Sequence, residues 1–361
     1  MRIASDMIYK QLSRSLKDNL SKLNDINTQL SSGKKINMPS DDILGTLKAM
    51  DYKLSISQNK QYEQNITDST NYLSYVDTVL TQTSETLLSL TKQTSDSSGT
   101  AEDRAYYATQ ATALRDTLLD LSNSVYLNSY IFSGSQSDQQ AYAYDVVSNK
   151  YVYQGDDQQI SVSIGTGMTS MTINVVGNSD NSAILTPFSY ALQAAATTTL
   201  SDGSVATYTP VLDPIHNSTI IQVGITNAAN PGENDTFSFS NVMDMANLMS
   251  HAWQYQDVDV TKSLTAQQSM NRIEVVAGAL DKTQNQLLTV QGQVGLRQAQ
   301  LSDQKSKLDA NTLTQQNSLS QTEDADMNET IIDLQMVATT LNALRSAAAN
   351  IISKSLFDFL K

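Results

Sequence analysis

Leu30-Ser31-Ser32-Gly33-Lys34-Lys35-Ile36-Asn37-Met38-Pro39-Ser40-Asp41-Asp42 interrupts two long apolar repeats near the start of the chain, and its reading decides the fold. Gly33 can take the left-handed conformation that ends a helix, and Pro39 biases Met38 toward an extended backbone. Ser40 can cap a new helix whose first turn carries two acids. Stop, loop and start fit within about ten residues, so the stretch predicts a corner between two long helices.

Upstream of the corner, Tyr9, Leu16, Leu23 and Leu30 share one position of a seven-residue repeat, and Leu12, Asn19 and Ile26 share another. That spacing predicts a coiled-coil seam, with an amphipathic helix on a globular core as the competing reading. Asn19 favours the seam, because one buried polar residue there fixes register at a cost in stability. Downstream, Ile66, Leu73, Leu80 and Leu87 alternate with Tyr62, Val76 and Leu90, predicting a helix from about Asp41 to Lys92. Ser95 to Gly99 breaks it, and Thr100-Ala101-Glu102-Asp103 has the form of a capping box that opens a third helix through Leu114, Leu118, Leu121 and Val125.

After Leu127-Asn128-Ser129-Tyr130-Ile131-Phe132-Ser133-Gly134 the period changes from helical to alternating, which marks a boundary. Tyr151-Val152-Tyr153, then Ile160, Val162 and Ile164, then Met171, Ile173 and Val175 read as half-buried antiparallel strands, with Gly165-Thr166-Gly167 turning between the last two runs. A short helix near Phe188 to Ala196, a strand at Ile220 to Ile225, an Asn230-Pro231-Gly232 turn and a strand at Phe237 to Phe239 complete the middle. Helical spacing returns from about Asn241. Ile273, Leu280, Leu287, Val294, Leu301 and Leu308 hold one heptad position throughout, whereas Thr283, Arg297 and Gln304 interrupt the other, which suits a bundle better than a two-stranded coil. A last amphipathic helix begins near Asp326 and carries Ile331, Leu334, Leu341, Leu344, Ile351, Ile352, Leu356 and Phe359 toward Lys361.

The expected fold class is mainly α with an α+β insertion: a discontinuous helical bundle or coiled coil drawn from both chain ends, plus a central strand-rich outer domain. Residues 1–40 and 320–361 are expected as terminal helices, 41–133 and 251–319 as a helical bundle, and 134–250 as the strand-rich domain. Chain ends usually fray, so apolar faces kept at both ends point to self-assembly. The expected seam is Tyr9, Leu12, Leu16, Leu23, Ile26, Leu30, Leu334, Leu341, Leu344, Ile351, Ile352, Leu356 and Phe359, and the corner residues are Gly33, Pro39, Ser40, Asp41 and Asp42.

At 361 residues size sets no constraint on core formation. Charged residues make up 17%, below the roughly 25% of average domains, and Ser, Thr, Gln and Asn fill the polar surface instead. The net charge of −14 argues against nucleic acid, which needs clustered Lys and Arg. The absence of cysteine excludes disulfides, thiolate metal sites and cysteine nucleophiles. Met1 to Asp6 lacks the apolar region of a secretory signal, and no stretch reaches the ~18 apolar residues of a membrane span, so the chain reads as soluble, uncleaved and not membrane-bound.

Chemistry-bearing motifs are sparse. A nucleotide loop around Gly33-Lys34 fails because Thr28 and Lys35 stand where Gly and Ser or Thr are required. His216 and His251 lie in separate segments without metal-ligand spacing. Glu323-Asp324-Ala325-Asp326 lacks EF-hand spacing and reads as a helix start with Asp326 as cap and Glu329 three residues on. Asp41-Asp42 reads as a helix start rather than an acid–base pair, and Asp257 and Asp259 suggest no site. Met243, Met245, Met249 and Trp253 read as core. No catalytic, metal or cofactor residue is expected.

The corner stretch resembles the Leu-Ser-Ser-Gly, basic, Ile-Asn, Pro-Ser-Asp-Asp signature of the flagellin superfamily, and within it the branch that joins hook to filament. Tyr130-Ile131-Phe132-Ser133-Gly134 resembles that branch's Tyr-Leu-Phe-Ser-Gly, Tyr153-Gln154-Gly155-Asp156-Asp157 is similar to the segment opening its outer domain, and Ser355-Leu356-Phe357-Asp358-Phe359-Leu360 is similar to its ending. The resemblance covers about residues 1–180 and 240–361. Ile43 and Ser129 depart from it where Pro and Gly are usual, and the 181–235 stretch, with His216 and the Asn230-Pro231-Gly232 turn, looks like an insertion. The resemblance implies a structural protein, not an enzyme, exported unfolded and assembled between hook-associated protein 1 and flagellin, with terminal helices forming an inner tube. It implies copies of itself, those two proteins and a flagellar export chaperone as partners. A filament subunit is the alternative, disfavoured by Pro39-Ser40-Asp41-Asp42 and the Asp358-Phe359-Leu360 ending, and a hydrolase in the middle segment is a remote one.

Overall fold

The structure is a computed structural model that describes residues 2–94, 100–167, 170–179, 186–190, 195–213, 218–259 and 262–359, with side chains left aside at 1–6, 8, 213, 218 and from 350 onward. Six α-helices are described: α1 (Arg2–Ser32), α2 (Ile43–Gln93), α3 (Ala101–Ser122), α4 (Val242–Trp253), α5 (Ala266–Glu323) and α6 (Met327–Phe359). Among the described residues, ten strands occupy the interval between α3 and α4. The chain divides into two compact units, one of Met1–Gln61 with Ser306–Lys361 and one of Tyr62–Lys305.

In the larger unit the heptads are core. Ile66, Leu73, Val76, Leu80, Leu87 and Leu90 of α2, and Ile273, Leu280, Leu287, Val294 and Leu301 of α5, are all at most 4% exposed. Each such side chain removed from water contributes about 1.5–3 kcal/mol. The polar interruptions are satisfied locally: Thr283 is buried and its hydroxyl donates to Ala279 O four residues back. Glutamines cross between the helices, with Gln284 donating to Ser84, Gln291 to Thr81 and Gln298 to Ser74, so α2 and α5 run antiparallel in this unit.

Thr100 caps α3 with the expected capping box, its hydroxyl accepting from Asp103 N while the Asp103 carboxylate accepts from Thr100 N. The helix stops at Ser122, short of Val125. Val125–Tyr126 (β1) and Ser129–Tyr130 (β2) form a tight hairpin instead, turned by Leu127 and Asn128 at φ +48° and +65°. Asparagine tolerates that conformation, so turn chemistry overrides the apolar spacing that extended the helix on paper.

Tyr142–Asp145 (β3) pairs with Lys150–Tyr153 (β4), and Ser161–Ser163 (β5) with Ser170–Thr172 (β6), as two antiparallel hairpins. A four-stranded antiparallel sheet has the order β10-β9-β8-β7, from Asp235–Phe239 (β10), Ser218–Thr226 (β9), Val205–Asp213 (β8) and Ala196–Thr199 (β7). Ala206 and Tyr208 alternate inward on β8, and Ile221, Val223 and Ile225 on β9. The expected helix near Phe188 to Ala196 is not seen in the described residues. Ser189 bridges Asn241, and Ala196 opens a strand, while residues 191–194 lie outside the description. The β-branched Thr197-Thr198-Thr199 run fits a sheet edge.

The two glycine motifs of the middle meet. A Cβ at Gly134, which sits at φ +73°, would collide with Asp156, and one at Gly155 would collide with the Ser133 backbone. Asp156 N donates to Ser133 O at 3.1 Å, and the Asp156 carboxylate accepts from Ser135 N. Beneath them Phe132, Tyr142 and Phe188 pack edge to face.

Candidate assembly site

The smaller unit holds both chain ends and the corner. Gly33 closes α1 at φ +71°, its N–H donating to Gln29 O, and the space beside its Cα is open, so backbone conformation alone selects glycine. Asp41 accepts from Asn37 N and Met38 N at 2.9 and 2.8 Å. Those backbone donors, Met38 first, hold its carboxyl below the usual range. Asp42 accepts from Gly45 N at 2.9 Å while its carbonyl accepts from Thr46 N, so Asp42, and not Ser40, caps α2. Both acids precede the helix rather than occupy its first turn. The Asp41 turn brings Asp42 to the helix end, where a carboxylate suits the positive pole better than a hydroxyl. Pro39 and Ser40 are exposed. A Cβ on Gly45 would strike the Asp42 carboxylate and the Ile36 side chain, so its absence lets buried Ile36 lie against the first turn of α2.

A second corner, between α5 and α6, is locked onto the first. Lys35 N donates to Glu323 O at 2.8 Å and Ala325 N to Gly33 O at 3.0 Å, making a short antiparallel bridge at Lys34 and Asp324. The Glu323 side chain, 9% exposed, binds Lys34 Nζ at 2.7 Å and Lys53 Nζ at 2.8 Å. Burial alone would raise its pKa, but the hydrogen bonds and charges of the two lysines outweigh that and hold it below the ordinary value. Lys35 Nζ reaches Gln321 O. Asp326 caps α6 as expected, accepting from Asn328 N and Glu329 N. Nothing in the sequence reading paired Lys34-Lys35 with Glu323; opposite charge beside two helix ends was the available signal.

From these corners α1 packs along α6. Leu12, Leu16, Leu23, Ile26 and Leu30 are half-buried in α1, Tyr9 is 56% exposed, and the Asn19 amide donates to Ser15 O within its own helix. In α6, Leu341 is buried and Leu334 and Leu344 are half-buried. The side chains of Ile351, Ile352, Leu356 and Phe359 lie outside the described residues. Between α2 and α5, Asn59 donates to Thr312 and Gln315, and Gln315 to Ser55.

The larger unit holds a cavity of about 180 Å³ lined by Lys150, Phe237, Asp244, Asp257 and Asp259 among others. Its buried carboxylate is a structural tie: Asp244 accepts from Tyr151 N at 2.8 Å and from Ser240 N and Oγ, joining β4 to α4. Burial pushes it up to about 6 in spite of those donors. Asp257 and Asp235 grip the fully buried Arg272, at 2.9 and 2.5 Å. Burial works to raise Asp257, and the Arg272 hydrogen bond and charge overcome it, so it stays low. Burial, then the Arg115 charge, depresses His251, whose Nδ1 is buried without a hydrogen-bond partner. Met243, Met245, Met249 and Trp253 are core, at most 2% exposed. His216 lies outside the described residues.

Comparison with known proteins gives a consistent picture. Residues 3–137 match the bacterial flagellin N-terminal helical region. The chain is 26% identical over 375 aligned positions to the flagellar hook-associated protein 3 of Escherichia coli K12, with the whole of both chains covered. It is 28% identical over 194 positions to the Salmonella typhimurium LT2 protein of that name, covering 50% of this chain and 61% of that one. In fold it is similar to the crystal structure of hook-associated protein 3 from Legionella pneumophila, with a TM-score of 0.54 and 20% identity over 75% of this chain and 97% of that one. No helix among the described residues is long and apolar enough to cross a membrane.

Proposed function

We infer that this chain, a member of the flagellin superfamily, is a structural subunit of the bacterial flagellum that joins hook to filament by helical self-assembly. The observation that carries the reading is the match to hook-associated protein 3 along the full length of both chains, which includes the two corners and both terminal helices. The geometry supports it. Terminal helices that pack along each other and spring from two interlocked corners form one building block from the two ends of the chain. The role is mechanical and not catalytic.

On this reading residues 1–40 and 320–361 are the axial helices of an inner tube, 41–133 and 251–319 the surrounding bundle, and 134–250 the outer domain. The thirteen seam positions line the tube and the Gly33–Asp42 corner sets the angle between layers. The chain is exported to the cell exterior, handled by a flagellar export chaperone, and sits on hook-associated protein 1 beneath flagellin. Deleting the gene is expected to leave hooks without filaments and flagellin in the medium; filaments of normal length in the deletion strain would refute the reading. The flagellin alternative, favoured only by the name of the matching N-terminal region, predicts that deletion removes the bulk filament protein itself.

A further inference from the structure

α1 carries a basic stripe on the side it turns away from α6. At about 100° per residue, Lys10, Arg14 and Lys17 fall within an arc of about 60° and along about 10 Å of helix, opposite the half-buried Leu12, Leu16 and Leu23. All three are exposed. α6 opens on an acidic counterpart. Asp326, Glu329 and Asp333, also exposed, share an arc of about 60°, about 90° round from Thr330, Leu334 and Leu341 on its covered side. Arg14, Lys17, Glu329 and Asp333 enter no ion pair among the described residues. Across the whole sequence, each set is the one triplet of its sign with charges at i, i+3 or i+4, and i+7.

The two spacings are mirror images. Steps of four and three residues on α1 meet steps of three and four on α6, so antiparallel helices align Lys10 with Asp333, Arg14 with Glu329 and Lys17 with Asp326, whereas parallel helices do not. No like charges meet in that register. Asp18, about 70° from the middle of the basic stripe, falls level with Ala325, and Asp6, whose side chain lies outside the described residues, falls level with Val337. The corner lysines are already held, Lys34 by Glu323 and Lys35 by Gln321 O. Within one chain the stripes do not meet: the bridge at Lys34 and Asp324 sets the start of α6 level with the end of α1, which leaves Arg14 and Glu329 about 20–25 Å apart along the axis.

We propose that the Lys10, Arg14 and Lys17 stripe of α1 receives the Asp326, Glu329 and Asp333 stripe of α6 from a second copy of this chain. Copies that point the same way present α6 antiparallel to a neighbour's α1, as the spacing requires, with the neighbour displaced by about 20–25 Å along the helices. The two surfaces differ, so each contact leaves one of either kind free and further copies add in the same direction. Exposed ion pairs add little affinity singly; the stripes set the register and direction of the contact. The inference rests on the assembly reading above and adds which faces meet and with what stagger.

Reversing one stripe, by Lys10→Glu with Arg14→Glu or by Glu329→Lys with Asp333→Lys, is expected to leave about tenfold fewer attached filaments per cell while the chain is still recovered in the medium. The four changes together are expected to restore attachment. A fourfold variant no better than either pair, or a reversed stripe without effect, would overturn the inference and leave the assembly reading standing. Absence of the wild-type chain from sheared flagella would overturn both. Should a reversed chain fail to be secreted, zero-length carbodiimide coupling of wild-type flagella decides. An amide joining Lys17 to Asp326 or Lys10 to Asp333, found by mass spectrometry, is expected, because one copy alone holds those groups too far apart to couple. Lys17 coupled only to another flagellar protein, or Lys10 and Lys17 both left uncoupled, sinks the proposal.

Discussion

At the scale of single residues, two buried carboxylates respond to pH with opposite sign. Glu323 has a folded pKa below its ordinary 4.5, so its contribution is present above that value and lost as pH falls through the folded one. Hydrogen-exchange protection at residues 33–36 and 323–326 should therefore fall on acidification, and Glu323→Gln should lower it at neutral pH by on the order of 1–2 kcal/mol. An unchanged acid response in that variant would show that another group controls the corners. Asp244 is raised to about 6 from 3.8, so its contribution is present below the lower value and lost as pH climbs through the higher one. The penalty at pH 7 is on the order of 3 kcal/mol, and it should disappear from the slope of stability against pH in Asp244→Asn. Urea titrations of both proteins across pH 4–7 would show it. Neither role was legible in the sequence. Glu323 meets Lys34 across 289 positions, and Asp244 stands in the first turn of a helix, where acids are common for another reason.

At the scale of elements, the long heptads were legible because a seven-residue repeat has one way to bury itself, and Ile273 to Leu301 are buried as spaced. Ends and short pieces were not. Val125 continued a helical spacing but lies in a hairpin whose turn residues decide the matter, and Ser40 yielded the cap to Asp42 because the Asp41 turn set which side chain arrives at the helix end. The corner itself makes a prediction. Valine at position 33 must adopt φ near +71°, at a cost of about 1–2 kcal/mol, and Pro39→Gly frees the backbone before the cap. Both changes should impair filament attachment more than secretion, as scored by filament counts against the chain recovered in the medium. An equal loss of secretion would point to an export defect.

At the scale of the whole molecule, the two units predict unequal resistance to protease. The purified monomer should lose its termini first and retain a fragment containing residues 100–260, where the hairpins, the sheet and α4 pack together; uniform resistance would contradict this. That the ends and the middle differ was legible from the change of period, whereas the order of the four-stranded sheet was not, since alternation says which face is buried but not which strand lies beside which. One feature of α2 reaches furthest. Along the helix Thr67, Ser69, Thr70, Ser74, Thr78, Thr83 and Thr86 each return their hydroxyl proton to the carbonyl four residues back, and between Ser74 and Ser84 three cross-links to α5, from Gln284, Gln291 and Gln298, are neutral amides. Dissolved ions screen charges, not such dipolar contacts. That stretch of the bundle should therefore keep its hydrogen-exchange protection nearly constant from about 10 mM to about 1 M sodium chloride, so that a joint built from it flexes alike in fresh water and in brine.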